Sequence, residues 1–238
     1  MVGIGPGAYE EMTLRAVNAL NDCDVIVGYH VYVDLVKEHF PGKEFHTTPM
    51  KKEVDRCRLA LALARDGRDV AMICSGDAGV YGMAGLIYEL LGQDAAVEVE
   101  VVGGLTAALS GAARLGAPLT HDFCCISLSD LLTPWETIEN RLDCAAKGDF
   151  CIALYNPSSM KRRDYLQRAC DILLRHASPD RVCGVVRNIG REGEEALVMT
   201  LAELRDYEAD MFTTVFVGNS HTKALGGKMV TPRGYRDV

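Results

Sequence analysis

The stretch Asp69-Val-Ala-Met-Ile-Cys74 runs directly into Ser75-Gly-Asp-Ala-Gly-Val-Tyr-Gly82, and these two segments decide the fold class. The first is short, continuous and apolar, which predicts a buried strand. The second is a loop of small residues, and helical periodicity over residues 80–91 follows it. A buried strand, a glycine-rich turn and a helix in this order are typical of α/β proteins with parallel strands.

The same alternation continues on both sides of this unit and predicts two α/β domains. The predicted strands are 2–5, 25–27, 69–74, 97–102, 123–128, 150–155, 181–189, 196–199 and 213–217, and the predicted helices are 12–20, 53–65, 80–91, 106–115, 135–146 and 161–175. The segment Gly116-Ala-Pro-Leu119 breaks the pattern. We therefore expect one α/β domain over residues 1–118 and a second over residues 119–238, joined near 116 to 122.

Composition places the chain among globular proteins. It has 238 residues, of which 48% are hydrophobic and 24% charged. No run approaches the roughly 18 apolar residues that a membrane-spanning helix requires. The opening residues contain neither a basic nor an apolar segment of an export signal, so we expect a cytoplasmic protein.

Charge, cysteine and histidine usage argue against nucleic-acid and membrane binding, disulfides and a metal site. With 25 Lys and Arg against 33 Asp and Glu, the net charge of −8 favours neither nucleic acid nor an anionic membrane. The nine cysteines are an odd number and form no CxxC pair, which favours free thiols. The six histidines fit no HExxH motif, so the sequence predicts no metal site.

The first glycine-rich motif is Gly3-Ile-Gly-Pro-Gly7, between a predicted strand and a helix. Gly3, Gly5 and Ala8 meet the GxGxxG/A pattern of dinucleotide-binding turns, in which glycine lets the backbone approach a ligand. Pro6 removes one backbone donor from such a turn. Both a nucleotide-binding turn and a simple glycine turn remain open at this motif.

Two more turns follow later strands. Asp77 in the Ser75–Gly82 loop is a candidate for binding a ribose hydroxyl or an amine, or for capping the next helix. The segment Gly103-Gly-Leu-Thr-Ala107 repeats the pattern after the strand predicted at 97–102. Because the carboxyl ends of parallel strands share one edge of a sheet, we expect the three turns to converge there.

These motifs, and others in the second half, resemble those of the tetrapyrrole methyltransferases of corrin biosynthesis, which use S-adenosylmethionine (SAM). The resemblance runs nearly end to end. The segments that carry it are Gly67-Arg-Asp-Val-Ala-Met-Ile-Cys-Ser-Gly-Asp-Ala-Gly-Val-Tyr-Gly-Met-Ala84, Ala117-Pro-Leu-Thr-His-Asp-Phe-Cys-Cys-Ile-Ser-Leu-Ser-Asp-Leu-Leu-Thr-Pro-Trp135, Ala153-Leu-Tyr-Asn-Pro157, Val185-Val-Arg-Asn-Ile-Gly-Arg191 and Thr214-Val-Phe-Val-Gly-Asn-Ser220.

The resemblance implies a homodimer of two-domain subunits, with SAM in a cleft between the α/β domains and a tetrapyrrole over an open trough. It also implies methylation of carbon 17 of a corrin precursor, coupled to ring contraction. The substrate is precorrin-3B or a cobalt-bearing counterpart, and the sequence leaves both open.

By the same resemblance, thirteen positions contact SAM. They are Pro6, Gly76, Asp77, Val80, Thr106 and Ala107 in the first domain, and Tyr155, Asn156, Val186, Arg187, Gly218, Asn219 and Ser220 in the second. Ring contraction needs an acid or base, and His121 is the candidate catalytic residue because it follows the break at residues 116–119 and histidine titrates near neutral pH. A structural role for His121 in the interdomain loop remains equally open. Ser127 and Asp130, downstream in the same segment, could orient the substrate.

The carboxylates of a corrin precursor require local cations on an acidic protein. The candidates are Lys51 with Lys52, Lys161-Arg-Arg163, and Arg187 with Arg191. At least one of these clusters is expected to be only a solvated helix end.

Two alternative functions stay open. One is another methylase of the same fold, such as a diphthine synthase or a uroporphyrinogen methylase. The other is a non-enzymatic protein that binds SAM or a nucleotide without methyl transfer.

Overall fold

The computed structural model describes residues 1–159 and 162–236 and confirms an α/β fold. The chain divides into two compact units, Met1–Ala107 and Ala108–Val238. Of the described helices, none is long and apolar enough to cross a membrane.

The first unit is built on a four-stranded sheet in the order β1-β4-β2-β3, and every pair in it is parallel. Its strands are β1 (Val2–Gly3), β2 (Val25–Tyr29), β3 (Glu44–Thr48) and β4 (Val70–Cys74), and its helices are α1 (Leu14–Asp22), α2 (His30–Val36), α3 (Glu53–Arg65) and α4 (Ala84–Leu91), with a 3-10 turn at Tyr9–Glu11.

Helices cover both faces of this sheet, which explains why its central strands are continuously apolar. Ile26 of β2 belongs to a core cluster with Leu20 of α1 and Val33 of α2. Its neighbour Val25 belongs to a separate core cluster. That cluster also contains Leu61 of α3 and residues of α4. Successive strand residues point to opposite faces, so both need apolar side chains.

The second unit has a mixed five-stranded sheet in the order β6-β7-β10-β8-β9. Its elements are α5 (Ala107–Leu115), β5 (Gly116–Ala117), β6 (Phe123–Ser127), α6 (Trp135–Lys147), β7 (Cys151–Tyr155), α7 (Tyr165–Leu173), β8 (Val182–Arg187), β9 (Glu195–Thr200), α8 (Leu201–Arg205), β10 (Thr213–Val217), β11 (Lys223–Leu225) and β12 (Lys228–Val230). Strands β11, β12 and β5 form a separate small sheet.

The direction of β10 determines which loops of the second unit lie together. Strand β6 is parallel to β7, whereas β10 is antiparallel to both β7 and β8. One end of the sheet, called here the Tyr155 end, therefore contains the carboxyl ends of β6, β7 and β8 and the start of β10. The opposite end, called the Ser220 end, contains the starts of β6, β7 and β8 and the residues after β10.

The units divide at Ala107, before the boundary of 118/119 expected from sequence. Helix α5 packs closely on the sheet of the second unit. A Cβ at Gly111 of α5 would lie 2.8 Å from the Phe216 ring, and a Cβ at Gly184 would lie 2.7 Å from Leu115. The glycines let α5 lie against β8 and β10, so this helix belongs with the second unit.

Candidate active site

The three glycine turns of the first unit meet, as the sequence predicts. The Gly5 N–H donates to the Gly76 carbonyl over 3.1 Å, and the Gly76 N–H donates back to the Gly5 carbonyl over 2.7 Å. The third turn packs on both, because a Cβ at Gly104 would lie 2.2 Å from the Gly76 carbonyl oxygen and 2.7 Å from the backbone of Gly3. Backbone lies against backbone at this point, and only glycine provides the space.

Asp77 links the second turn to the third. One oxygen of its carboxylate accepts the Gly79 N–H over 2.7 Å, and the other accepts the Gly104 N–H over 2.9 Å. The alternative that Asp77 caps the next helix is wrong, because α4 begins at Ala84 with Met83 as its N-cap. The carboxylate is fixed by backbone donors and holds the turns in register.

The six SAM contacts expected in the first unit all lie on these turns. Pro6 is buried directly after Gly5, and Val80 is half-buried in the second turn. Thr106 and Ala107 close the third turn, and the Thr106 Cα lies 3.6 Å from where a Cβ of Gly76 would stand. The structure therefore brings this group together.

Four of the contacts expected in the second unit lie at the Tyr155 end. The Tyr155 hydroxyl accepts the Ala108 N–H in the first turn of α5 over 2.8 Å. Asn156 has a positive φ of 52° and donates from Nδ2 to Ser127 Oγ over 2.9 Å. Val186 is buried, and Arg187 is exposed with its Nε 3.8 Å from Asp210. A strained asparagine in this position is a feature that functional sites often retain.

The other expected contacts, Gly218, Asn219 and Ser220, lie at the Ser220 end. Gly218 donates its N–H to the carbonyl of Val182, the first residue of β8. Strand β7, five residues long, separates this end from Tyr155. At about 3.3 Å per residue, the separation is roughly 13–17 Å. The structure does not bring these two groups together within the second unit.

Asp149 organises the Ser220 end. Its carboxylate accepts the N–H of Ser220 over 2.8 Å and the Ser220 hydroxyl over 2.5 Å, and it pairs with Arg181 at 3.0 Å. Burial alone would raise the pKa of Asp149, but these hydrogen bonds hold it below its usual value. These contacts occupy both hydrogen-bond donors of Ser220, its N–H and its hydroxyl.

His121 also lies at the Ser220 end, just before β6. Its ring stacks on His221, with ring centroids 6.4 Å apart. The proposed proton-transfer residue is therefore placed with Ser220 and away from Tyr155 and Asn156.

Sequence reasoning missed two buried threonines at the Tyr155 end. Thr213 and Thr214 begin β10 and pair with Arg187 and Val186. Thr213 Oγ1 donates to Asp210 over 2.8 Å. Two adjacent threonines at the start of a buried strand are a visible signal, but their place beside Arg187 depends on the antiparallel direction of β10.

The basic clusters differ in their surroundings. Lys52 forms an ion pair with Asp55 at 3.0 Å, as expected of a solvated helix end. The Arg191 guanidinium lies 5.7 Å from the centre of the Phe212 ring. Lys161 lies outside the described residues, whereas Arg162 and Arg163 lie within them.

One substitution at each end of the second sheet tests which end binds SAM. We expect Asn156→Gly to weaken SAM binding several-fold, since glycine keeps the positive φ but removes the amide that binds Ser127. Ser220→Ala should leave SAM affinity unchanged and lower stability by no more than about 1 kcal/mol, because one exposed hydrogen bond to Asp149 is lost. Calorimetric titration with SAM and urea unfolding measure both effects. The reverse pattern would place the cofactor at the Ser220 end.

The chain belongs to the tetrapyrrole (corrin/porphyrin) methylases, because the model of that family matches residues 1–205. It is accordingly a methyltransferase. A protein of Salmonella typhimurium named "Probable cobalt-factor III C(17)-methyltransferase" is 47% identical over 236 residues, which are 99% of this chain and 98% of that protein. A protein of the same name from Methanocaldococcus jannaschii is 44% identical over 245 residues, covering 100% of this chain and 97% of that protein.

A solved structure gives the same result for the fold. The crystal structure of the methyltransferase CobJ superposes with a TM-score of 0.89 at 39% sequence identity. The match covers 97% of this chain and 98% of CobJ.

Proposed function

We propose that this chain transfers the methyl group of SAM to carbon 17 of cobalt-factor III, a cobalt-bearing corrin precursor, with contraction of the macrocycle. The main structural observation behind the proposal is the contact among the three glycine turns at the carboxyl ends of β1 and β4. Backbone hydrogen bonds join the first two turns, and the Asp77 carboxylate joins the second to the third. The substrate is supported by two relatives whose names state this activity and which match the chain over nearly their whole length.

The residues of both units fit SAM. At Gly76, φ is +68°, a conformation that glycine adopts readily, and the position of a Cβ lies 3.6 Å from the Thr106 Cα, so the second and third turns are in van der Waals contact at the candidate site. At the Tyr155 end, Val186 and Thr214 offer a largely apolar buried wall of the kind an adenine needs. We assign the SAM contacts to the turns of the first unit and to Tyr155, Asn156, Val186 and Arg187. Gly218, Asn219 and Ser220 are the alternative, which the Ser220→Ala substitution tests.

SAM supplies a methyl group that its sulfonium already activates, so alignment is the main task of the protein. Asp77 keeps the turns in one arrangement before any ligand binds. Fixed backbone groups lose little conformational entropy on binding, which favours a single orientation of the donor.

His121 is the sequence-based candidate for proton transfer during ring contraction, and substitution tests this hypothesis directly. His121→Ala should then bind SAM normally and accumulate an uncontracted, methylated intermediate. His221→Ala is the matched control, because it removes the stacked ring but not the proposed acid or base. If His121→Ala forms contracted product at the wild-type rate, His121 is not the acid or base, and that residue is to be sought at the Tyr155 end.

The decisive functional experiment measures release of S-adenosylhomocysteine. We expect the purified protein to bind SAM and to release S-adenosylhomocysteine when cobalt-factor III is added. Precorrin-3B and uroporphyrinogen III are assayed in the same way. Product from precorrin-3B would indicate the aerobic substrate, and product from uroporphyrinogen III would indicate a uroporphyrinogen methylase. A non-enzymatic SAM-binding protein would bind SAM yet release no product with any of the three, and that result would refute the proposal.

We also propose that the protein acts in the cytoplasm as a homodimer. All nine cysteines are free thiols, which fits a reducing compartment. Light scattering coupled to gel filtration measures the oligomeric state, and a monomeric mass under assay conditions would refute the dimer.

A further inference from the structure

A polar cluster outside the assigned SAM contacts lies in the second unit, beyond the carboxyl end of β6. The Asp130 carboxylate accepts Arg162 Nε on one oxygen over 2.5 Å and the Tyr165 hydroxyl on the other over 2.6 Å. Asp130 comes three residues after Ser127, whose hydroxyl binds Asn156. The cluster is therefore continuous along the chain with the Tyr155 end.

Asp130 fixes the orientation of Arg162 but uses only part of its guanidinium. The two Nη groups of Arg162 form no hydrogen bond with any described residue, and the side chain is 22% exposed. A guanidinium held at Nε presents its remaining donors in a fixed fork that matches a carboxylate. The neighbouring Arg163 is exposed, and its side chain is paired with no described carboxylate.

Acid–base catalysis is a weaker use of this cluster. The hydrogen bond from Tyr165, together with Arg162, holds the pKa of Asp130 below its usual range. The same hydrogen bond raises the pKa of Tyr165. A carboxylate that is harder to protonate is a poor base, and a phenol that is harder to ionise is a poor acid. The arrangement favours holding an anion over moving a proton.

Two exposed apolar side chains follow the cluster along the chain. Leu131 and Leu132, which directly follow Asp130, are 64% and 94% exposed. Exposed leucines one and two residues after the carboxylate that orients a guanidinium suit a flat, largely apolar ligand that carries carboxylates. A tetrapyrrole with acetate and propionate side chains has this character.

We propose that Arg162 binds a side-chain carboxylate of the tetrapyrrole substrate through its Nη groups and that Asp130 is the positioning residue for Arg162. This inference rests on the proposed function, because it takes its ligand from there. It selects one arginine from three basic clusters and gives Asp130 a role that does not require contact with the substrate.

The test measures the dissociation constant of cobalt-factor III by absorbance titration and, separately, that of SAM by calorimetry. We expect Arg162→Ala to raise the dissociation constant of cobalt-factor III at least about tenfold, with SAM affinity unchanged. The matched control Arg163→Ala removes the same charge one residue away and should change neither value by more than about twofold. The effect of Arg162→Ala should shrink as salt concentration rises.

A double-mutant cycle tests the role of Asp130. Asp130→Asn should weaken binding of cobalt-factor III in the wild-type background but have little further effect in Arg162→Ala, because it acts through that arginine. Additive effects of the two substitutions would overturn the positioning role. An unchanged dissociation constant in Arg162→Ala, with the variant folded as judged by its thermal transition, would overturn the carboxylate contact.

Failure of this inference is distinguishable from failure of the proposed function. If the wild-type protein binds cobalt-factor III but releases no S-adenosylhomocysteine, the function fails while the Arg162 contact is still measured. If the wild type methylates cobalt-factor III and Arg162→Ala binds it equally well, the inference alone fails. If the wild-type protein does not bind cobalt-factor III, both are overturned.

Discussion

Replacing Gly104 with alanine is expected to abolish SAM binding and to destabilise the first unit. The new Cβ would lie 2.2 Å from the Gly76 carbonyl oxygen and 2.7 Å from the backbone of Gly3. These neighbours are backbone atoms of two turns that are hydrogen-bonded to each other. Neither turn can move away from the new Cβ without breaking these hydrogen bonds. Overpacking in a core typically costs about 1–3 kcal/mol, and we expect Gly104→Ala at or above the upper value. Urea unfolding and calorimetry with SAM measure the two effects.

Gly85→Ala is the matched control for this substitution. Gly85 lies within α4, and a Cβ there would meet nothing within 4 Å. Alanine is a better helix former than glycine, so the free energy of unfolding of this variant should rise by roughly 0.5–1 kcal/mol. Its affinity for SAM should be that of the wild type. A Gly104→Ala protein with wild-type stability and SAM affinity would contradict the close approach of the three turns.

Removing the Asp77 carboxylate should weaken SAM binding by roughly ten- to hundredfold. Hydrogen bonds to a charged group contribute about 1.5–3 kcal/mol, and each 1.4 kcal/mol is a tenfold change in affinity. Asp77→Ala leaves the N–H groups of Gly79 and Gly104 without their acceptor, so the second and third turns lose their link. Asp77→Asn should have a smaller effect, because its amide oxygen can still accept one of the two bonds.

Asp94→Ala is the control for the loss of an acidic side chain from the first unit. Asp94 pairs on the surface with Arg65 at 2.8 Å and touches none of the three turns. Its removal should leave the dissociation constant of SAM within about twofold of the wild-type value, since surface ion pairs contribute little. Equal losses in Asp77→Ala and Asp94→Ala would point to net charge and remove Asp77 from the site.

The parts of the fold that depend on local pattern were predictable from sequence. The predicted helix at 53–65 and the predicted strand at 213–217 match α3 and β10 residue for residue. The predicted strand at 97–102 is wrong, because only Val102 bridges to Val2. Strand β1 has only two residues and is too short to pair along the whole of 97–102. Strand β3 was missed because Glu44–Thr48 carries few apolar residues and lies at the edge of the sheet.

The candidate site was predictable where neighbouring parallel strands place its residues, and it was unpredictable where a strand distant in sequence runs in the opposite direction. Turns that follow neighbouring parallel strands lie at one edge of the sheet, as the turns after β1 and β4 do. The third turn joins them although only Val102 before it bridges to the sheet. In the second unit, nothing in residues 213–220 shows that β10 runs against β7 and β8. That single reversal places Thr213 beside Arg187 and carries Gly218 and Ser220 to the opposite end. Strand direction is set by non-local pairing, which one sequence does not display.

Product analysis with SAM carrying a carbon-13-labelled methyl group tests the central claim most directly. The purified protein is incubated with the labelled SAM and cobalt-factor III, and the product is examined by mass spectrometry, absorbance and carbon NMR. We predict a product heavier by one labelled methyl group, with the label at carbon 17 and the chromophore of a contracted ring. A label at any other carbon, or S-adenosylhomocysteine release without a methylated tetrapyrrole, would contradict the account.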